Sequence, residues 1–472
     1  MGALATDHVT SHELHEQDGR TSPRHSQDPV FGLILMGGSV SGALIRDVRL
    51  ANELADRGFS VYIWWAMDRQ RQMQIDERIS QHWLFHGMRY RWPIGAGMFD
   101  AIGRMMARFF DDKKRAHALQ QRPDMLNRLM QGLLSRVYRG VEHDTTVLKR
   151  FAREIADAGV THVLPMLGVL CPWALALRGV MDNPPRYLVT FQGYELYSNY
   201  ARSAGTEQQL LARFREVTEQ SVYQAICVSK DYVSRVTEDI GIDSDRLAAI
   251  PPGVPISPLM DRNVAGDLVR RGLKKYDPAL PLVTFLGRRD SEKGIDLLLY
   301  AAKILAQRGL KFQLAVCGPT LFGSDYGLLC KQIAQNLRLP VLWRKQVTDR
   351  LRDALFTVSR CVVYPSIHRE PFGMVPVEAL ARGTPAIVPD HGGVAHTIEA
   401  DDHVAGLRFR VWDSGDLANQ IEKMLTDDDL HARFTRAAPK VAQYYSVQKL
   451  ADRVLAHMGL APTPQHRQIS SE

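Results

Sequence analysis

The stretch HREPFGMVPVEALARGTP, residues 368–385, sets Glu370 and Glu378 eight positions apart. Glu370 lies in a turn rich in proline and glycine, and Glu378 follows about two helical turns later, so a turn leading into a helix can direct both carboxylates at one ligand. Ionised carboxylates only accept hydrogen bonds, and each can accept from neighbouring hydroxyl groups. A polyhydroxylated ligand is therefore the natural candidate for this stretch.

The same stretch is also suited to an anion. Phe372, Gly373 and Met374 present backbone N–H groups near the predicted start of the helix, where the helix dipole favours negative charge. Taken alone, two spaced glutamates also fit a solvated helix, because acidic residues gather in first helical turns. The surrounding pattern favours the ligand-binding interpretation, and a nucleotide-linked sugar combines both requirements.

Strands and helices alternate around the two glutamates. Apolar residues 361–364 and 386–388 predict short buried strands, and residues 375–381 predict a helix. Residues 390–393 form a glycine turn after the second strand. Glu370 and Gly393 therefore come soon after strands, where ligands bind in open parallel sheets.

This arrangement resembles the donor-binding signature of retaining glycosyltransferases of the GT-B fold, glycosyltransferase family 4 (glycosyl transferases group 1) in particular. The resemblance implies that Glu370 contacts the donor sugar and that Glu378 binds the ribose hydroxyls of the nucleotide. It also implies that the turn Phe372-Gly373-Met374, together with Gly393, belongs to the donor site.

A basic motif follows a predicted strand at 282–286. In GRRDSEKG, residues 287–294, Arg288 and Lys293 surround a strand-to-helix turn, where the helix dipole and free N–H groups already favour phosphate. Salt bridges to the acidic residues of the same turn are the alternative. The family resemblance implies that Arg288 and Lys293 hold the donor diphosphate and stabilise the charge that develops as the glycosidic bond breaks.

The chain opens with a predicted β-α-β unit whose first turn is GGSVSG, residues 37–42. This turn has the four-residue gap of a phosphate-binding P-loop, but Ala43 and Leu44 stand where lysine and serine or threonine are needed, and G-x-G-x-x-G is not matched. The resemblance implies that the loop lies opposite the donor site across the cleft between the domains and contacts the diphosphate or the acceptor, with Gly38 as a donor-binding residue. A purely structural turn is the alternative.

One position departs from the family pattern. The predicted strand 187–190 runs into FQGYE, residues 191–195, where the family usually has His-Gly close to the donor sugar. Gln192 can donate to and accept from a sugar hydroxyl, but an amide cannot become cationic near neutral pH. The donor identity and the catalytic competence of the chain are therefore open at this point.

At 472 residues the chain is too long for one ordinary compact domain, so two domains are expected. The fold class predicted is α/β, in the GT-B arrangement of two doubly wound Rossmann-like domains facing each other across a cleft. The expected divisions are a disordered tail at 1–29, an N-terminal domain at 30–260 with a helical insertion at 68–153, a C-terminal domain at 277–440, a helix at 441–460 and a second disordered tail at 461–472. The resemblance implies that the N-terminal domain binds the acceptor, that the C-terminal domain binds the donor and that the helix at 441–460 crosses back to the first domain.

The insertion contains an apolar stripe beside basic residues at 98–115. A buried helix with a solvated basic face is one interpretation, and peripheral attachment to an anionic membrane, near a lipid-linked acceptor, is the other. No apolar run reaches the roughly 18–20 residues of a membrane span, and the first 28 residues are polar. We expect a cytoplasmic protein, peripheral on the inner membrane face under the second interpretation.

The remaining composition excludes several function classes. The five cysteines are odd in number and scattered, which predicts reduced core residues. A net charge of +7 without a dominant basic run does not indicate a nucleic-acid partner. Asp243 and Asp245 match the Asp-x-Asp pattern of metal-dependent transferases, but no apolar strand precedes them. We therefore predict neither a metal nor a cofactor.

The function predicted is a retaining, metal-independent glycosyltransferase that moves a sugar from a nucleoside diphosphate sugar, its co-substrate, to a saccharide, lipid-linked or other hydroxyl acceptor in polysaccharide, glycolipid or glycoconjugate synthesis. Glu370, Arg288 and Lys293 are the predicted catalytic residues. The family suggests front-face substitution, in which the leaving phosphate helps to deprotonate the acceptor. The alternatives are a GT-B phosphorylase-like enzyme and a catalytically silent sugar-nucleotide-binding subunit.

Overall fold

The computed structural model describes residues 28–37, 41–66, 73–84, 145–203, 205–319 and 326–464. They form two α/β domains, each built on parallel strands with helices between them. The predicted stripe at 98–115, most of the predicted insertion and Gly38 lie outside the described residues. No helix in the described part of the chain is long and apolar enough to cross a bilayer.

The first domain contains two parallel sheets with strand orders β3-β2-β1-β4-β5 and β6-β7-β8. One short segment links them, because Leu188 N–H donates to the Val163 carbonyl while Ile226 N–H donates to the Val189 carbonyl. The elements in chain order are β1 (Val30–Leu35), α1 (Gly42–Asp56), β2 (Ser60–Trp65), β3 (Ser80–Trp83), α2 (Thr145–Asp157), β4 (His162–Pro165), α3 (Cys171–Ala176), β5 (Arg186–Tyr187), β6 (Thr190–Phe191), α4 (Glu195–Ser203), α5 (Glu207–Glu219), β7 (Ala225–Cys227), α6 (Lys230–Ile240) and β8 (Leu247–Ala249).

The second domain has a six-stranded parallel sheet in the order β11-β10-β9-β12-β13-β16. The strand order reverses between β9 and β12, which is the doubly wound arrangement that opens a ligand crevice beyond the carboxyl ends of these two strands. The elements are α7 (Arg262–Gly272), β9 (Leu282–Leu286), α8 (Ile295–Gln307), β10 (Gln313–Cys317), α9 (Tyr326–Asn336), β11 (Val341–Arg344), α10 (Asp349–Val358), β12 (Cys361–Val363), α11 (Met374–Leu380), β13 (Ala386–Pro389), β14 (Glu399–Ala400), β15 (His403–Val404), β16 (Gly406–Phe409), α12 (Ser414–Thr426), α13 (Asp428–Tyr444) and α14 (Val447–His457).

Helix α7 lies in the interval 261–276, between the two domains expected from the sequence. Asp261 caps it, accepting from the N–H groups of Asn263 and Val264. Its buried Ala265 and Val269 pack in one apolar cluster with α10. Both signals, a capping aspartate and apolar residues four positions apart, are present in the sequence.

The chain returns to the first domain after α13. Val254 N–H donates to the Tyr445 carbonyl and Val447 N–H donates to the Val254 carbonyl, so the two crossings lie side by side as a parallel bridge. Helix α14 then packs on α1, where Arg57 pairs with Asp452 at 2.8 Å. The crossing helix expected at 441–460 differs in its start, because residues 441–444 end α13 and α14 begins at Val447, after this bridge.

The five cysteines are buried and unpaired, as the sequence predicted. The largest apolar cluster is not confined to one domain. Phe372 and Val394 of the second domain belong to the same cluster as Leu450 of α14 and the core of the first domain, and Phe372 packs edge-on against Tyr445 with ring centres 5.5 Å apart. The stretch around Glu370 is therefore built into the contact between the two domains.

Candidate active site

Lys293 and Glu370 meet at the point where the strand order of the second domain reverses. Lys293 ends a short 3-10 turn after β9, and Glu370 follows β12. Their side chains are hydrogen bonded and form a buried ion pair, and the ammonium also lies 5.5 Å from the centre of the Tyr364 ring. The turn needs Gly294, whose φ is +60° and where a Cβ would lie 2.1 Å from the Pro365 carbonyl oxygen.

The pair is ionised despite its burial. Burial alone would raise the pKa of Glu370, but the Lys293 ammonium and the hydrogen bonds from Lys293 and Ser366 hold the pKa below its usual value. Burial would likewise lower the pKa of Lys293, and the Glu370 carboxylate holds it above its usual value. Both donors reach Oε1 of Glu370, with Ser366 at 2.9 Å, and no donor from the described residues reaches Oε2. That oxygen can accept from a ligand hydroxyl.

Arg288 is the more open cation of this turn. Its guanidinium lies 3.1 Å from Asp290 and 3.8 Å from Glu292, so the salt bridges considered from the sequence do form. The Arg288 side chain is nevertheless 39% exposed, whereas Lys293 is 8% exposed. An exposed guanidinium held at the carboxyl end of β9 can still receive a phosphate group.

Glu378 projects from α11 towards the first domain. Nη2 of Arg49, on α1, donates to Glu378 Oε1 at 2.8 Å, and Nη1 of Arg49 donates to the Gly253 carbonyl at 3.2 Å. Both side chains are largely buried, and no donor from the described residues reaches Glu378 Oε2. Arg49 was not predicted from the sequence, because an arginine on an amphipathic helix carries no motif of its own.

The turn between the two glutamates is tightly packed. Gly373 has a φ of +85°, and a Cβ on it would lie 2.7 Å from Val394. Met374 begins α11 and lies against α1, where its Cε is 3.5 Å from the position of a Cβ on Gly42. Gly393 N–H donates to the Glu370 carbonyl at 2.8 Å. The Phe372 side chain packs at the contact between the two domains.

Gln192 lies in a polar cluster of the first domain. Its Nε2 donates to Asp47 Oδ2 at 2.8 Å and to the Met166 carbonyl, and Asp47 also pairs with Arg46. Burial raises the pKa of Asp47 even though Arg46 and Gln192 oppose that rise. These contacts do not join Gln192 to the Lys293–Glu370 pair. They explain how an amide is accommodated here, because it can donate to an acidic neighbour without carrying charge.

The acidic pair Asp243 and Asp245 is exposed on the turn that precedes β8. It therefore lies at the amino end of that strand, whereas ligands bind beyond the carboxyl ends. Within the described ranges, no three His, Cys, Asp or Glu side chains are grouped so that they could hold a metal ion.

The chain folds into two doubly wound domains, and the buried cation–carboxylate pair lies where the strand order of the second domain reverses. This two-domain arrangement is the GT-B architecture, and solved structures share it. Sucrose-phosphate synthase from Thermosynechococcus elongatus superimposes with a TM-score of 0.66 at 18% identity, over 93% of this chain and 99% of that one. Anabaena HepE, solved with UDP and glucose, gives a TM-score of 0.65 at 16% identity, over 91% and 99%. At these identities the likeness shows the fold, and the predicted fold class is confirmed.

Residues 274–441, which include most of the second domain, match the family model described as "Glycosyl transferases group 1", the family that the sequence resembles. D-inositol 3-phosphate glycosyltransferase of Rhodococcus erythropolis is 29% identical over 253 residues, which cover 51% of this chain and 55% of that protein. Mannosylfructose-phosphate synthase of Agrobacterium fabrum is 26% identical over 287 residues, covering 58% and 62%. The chain thus spans little more than half the length of the curated relatives it matches.

Proposed function

We propose that this protein is a glycosyltransferase that moves a sugar from a nucleoside diphosphate sugar to a hydroxyl acceptor, with retention of the anomeric configuration and without a metal ion. The observation that carries the proposal is the buried Lys293–Glu370 pair at the strand reversal of a group 1 glycosyltransferase domain. In this proposal Arg288 and Lys293 neutralise the departing diphosphate, which is the work that a metal ion does in other transferases.

Each carboxylate has one oxygen to offer the donor. Glu370 accepts a hydroxyl of the sugar through Oε2, and Glu378 accepts ribose hydroxyls through its own Oε2, while Oε1 of each is held by a cation. The reaction proceeds by front-face substitution: the acceptor oxygen bonds to the anomeric carbon as the bond to the diphosphate breaks, and the acceptor proton passes to the leaving phosphate. Glu370 orients the sugar and does not attack it.

A thermal-shift panel tests the donor site, because a ligand that binds only the folded protein raises its melting temperature. UDP, GDP, ADP and their sugar conjugates are compared on the wild type, Glu378→Ala and Arg288→Ala. Stabilisation by one nucleotide class that weakens in both variants supports the proposal. No shift with any nucleotide in a folded sample would overturn it and favour a phosphorylase-like enzyme or a subunit without donor binding.

The acceptor and the stereochemistry need separate experiments. The names of the curated relatives suggest phosphorylated polyols and sugars, beginning with inositol 3-phosphate and a fructose phosphate, beside saccharide and lipid-linked acceptors. NMR of the product identifies the anomer, and an inverted product would exclude the retaining mechanism. Activity that is abolished by EDTA and restored by Mg²⁺ or Mn²⁺ would exclude the metal-independent one.

A further inference from the structure

Helix α6 of the first domain and its capping residue contact the two residues on either side of Glu370. Ser229, which caps α6, donates through Oγ to the Pro371 carbonyl at 2.7 Å. Nη1 of Arg235, two turns further on, donates to the Arg369 carbonyl at 3.1 Å. The carbonyls of Arg369 and Pro371, the residues on either side of Glu370, thus both accept hydrogen bonds from side chains of the first domain.

A third contact fixes the side chain of Arg369. Its guanidinium donates twice to Asp231 Oδ1, at 2.7 and 3.1 Å, and Asp231 lies on the first turn of α6. The two domains approach closely at this turn. A Cβ on Gly393 would lie 2.4 Å from Ser229 Oγ of the first domain and 2.0 Å from the Pro371 carbonyl oxygen. The turn that carries Glu370 therefore has little freedom while α6 is in place.

Arg235 is itself oriented by the segment that follows Gln192. Nη1 of Arg235 lies 2.8 Å from Glu195, and the Tyr232 hydroxyl donates to the same carboxylate at 3.0 Å. The Arg235 side chain is 17% exposed, so its bonds are only partly screened by water. A continuous set of polar contacts thus runs from α4 through α6 to the backbone beside Glu370.

We propose that Ser229 and Arg235 are positioning residues for Glu370: by holding the two flanking carbonyls, the first domain directs the Glu370 carboxylate at the donor sugar. This inference rests on the proposed function, because it takes Glu370 as the group that binds the sugar. Arg288 and Glu378, which serve the nucleotide, contact neither residue among the interactions described. The sugar half of the donor site is therefore complete only when α6 contacts the second domain, and the nucleotide half does not need α6.

The test compares each nucleoside diphosphate with its own sugar conjugate by titration calorimetry, using whichever of UDP, GDP or ADP stabilises the wild type. Arg235→Met should leave the affinity for the free nucleotide within about twofold, and lower the affinity for the conjugate about tenfold, the worth of one charged hydrogen bond. Ser229→Gly should act in the same direction, since glycine is tolerated at a helix cap. Arg235→Lys keeps the charge and should recover part of the loss.

Arg178→Met is the matched control, because Arg178 also holds a backbone carbonyl, that of Gln220 at 2.7 Å, but within the first domain and away from both α6 and Glu370. It should change neither affinity. Hydrogen exchange supplies a readout without ligand: the Gly393 amide, which is bonded to the Glu370 carbonyl, should exchange faster in Arg235→Met and Ser229→Gly than in the control.

The outcomes separate the two proposals. Equal losses for free nucleotide and conjugate, or no loss for the conjugate, would overturn the positioning role and leave the glycosyltransferase proposal standing. A wild-type protein that binds none of the nucleotides would overturn the proposed function, and the positioning role with it.

Discussion

Arg49 and Glu378, 329 positions apart in the chain, form an ion pair of 2.8 Å that joins the two domains. The pair leaves one carboxylate oxygen of Glu378 free of donors from the described residues, so the arginine restrains the glutamate and does not block it. The Gly253 carbonyl in turn restrains the arginine, which ties the geometry of α11 to the place where the chain leaves the first domain.

Arg49→Gln should weaken the binding of a nucleoside diphosphate about tenfold, because Glu378 loses the cation that orients it. The loss should be smaller for the 2′-deoxy analogue, which offers Glu378 one hydroxyl fewer. Titration calorimetry with both ligands measures the difference. Arg57→Gln is the control, because Arg57 caps the end of the same helix but is paired with Glu53 and Asp452. An equal loss of affinity for both ligands would mean that Arg49 affects nucleotide binding without acting through Glu378.

The buried Lys293–Glu370 pair should show strong coupling between its two members. Lys293→Met and Glu370→Gln should each lower the free energy of unfolding of the second domain by about 3–5 kcal/mol, because each leaves a charged or polar partner buried and unpaired. The double variant should lose much less than the sum, since it removes both charges. Chemical denaturation followed by tryptophan fluorescence measures the three values, and simple additivity would contradict the ion pair.

The same pair sets a pH range for stability. The pKa of Glu370 is held below its ordinary value of 4.5, so its contribution is complete above that pH and is lost as the pH falls through the lowered pKa. The pKa of Lys293 is held above its ordinary value of 10.5, so its contribution is complete below that pH and is lost as the pH rises through the raised pKa. The stability difference between wild type and the double variant should be constant from about pH 5 to pH 10 and shrink on either side. A difference that changes near neutral pH would argue against this pair as its source.

Gly393→Ala should disturb the turn that carries Glu370, because the added methyl would lie 2.0 Å from the Pro371 carbonyl oxygen. We expect a lower melting temperature and weaker binding of the sugar conjugate. The matched control is Gly266→Ala on the exposed side of α7, where nothing lies within 4 Å of an added Cβ. Alanine in a helix interior should stabilise that variant by about 0.5–1 kcal/mol. If both variants behave alike, the close packing around Gly393 does not constrain the turn.

Local patterns in the sequence predicted the elements that carry the candidate site. The run at 282–286 forms strand β9, because a buried parallel strand is a continuous apolar segment. A glycine closes the strand, and the turn after it holds Arg288 and Lys293. The same reasoning placed Glu370 after β12 and Glu378 on α11. Short-range periodicity and turn chemistry are sufficient for such assignments.

The partners of these residues could not be predicted in the same way. Arg49, Ser229 and Arg235 reach residues of the second domain that lie 329, 142 and 134 positions away in the chain. Each lies on or caps a helix whose apolar spacing reflects only its own core face. The separation of β5 from β6 has a similar origin, since one extended segment changes its pairing partner after two residues. Tertiary packing, and not local propensity, decides these features.

The bridge between Val254 and Ser446 has a mechanical consequence. Two domains joined by a single flexible linker can rotate relative to each other about many axes. Two covalent connections held side by side restrict that rotation to essentially one axis. A separation of the domains that keeps this bridge intact is therefore confined to a swing about the line through these two residues, and such a swing would bring the facing surfaces back in the same register. The bridge itself would bring Arg49 back against Glu378 after a ligand has entered or left.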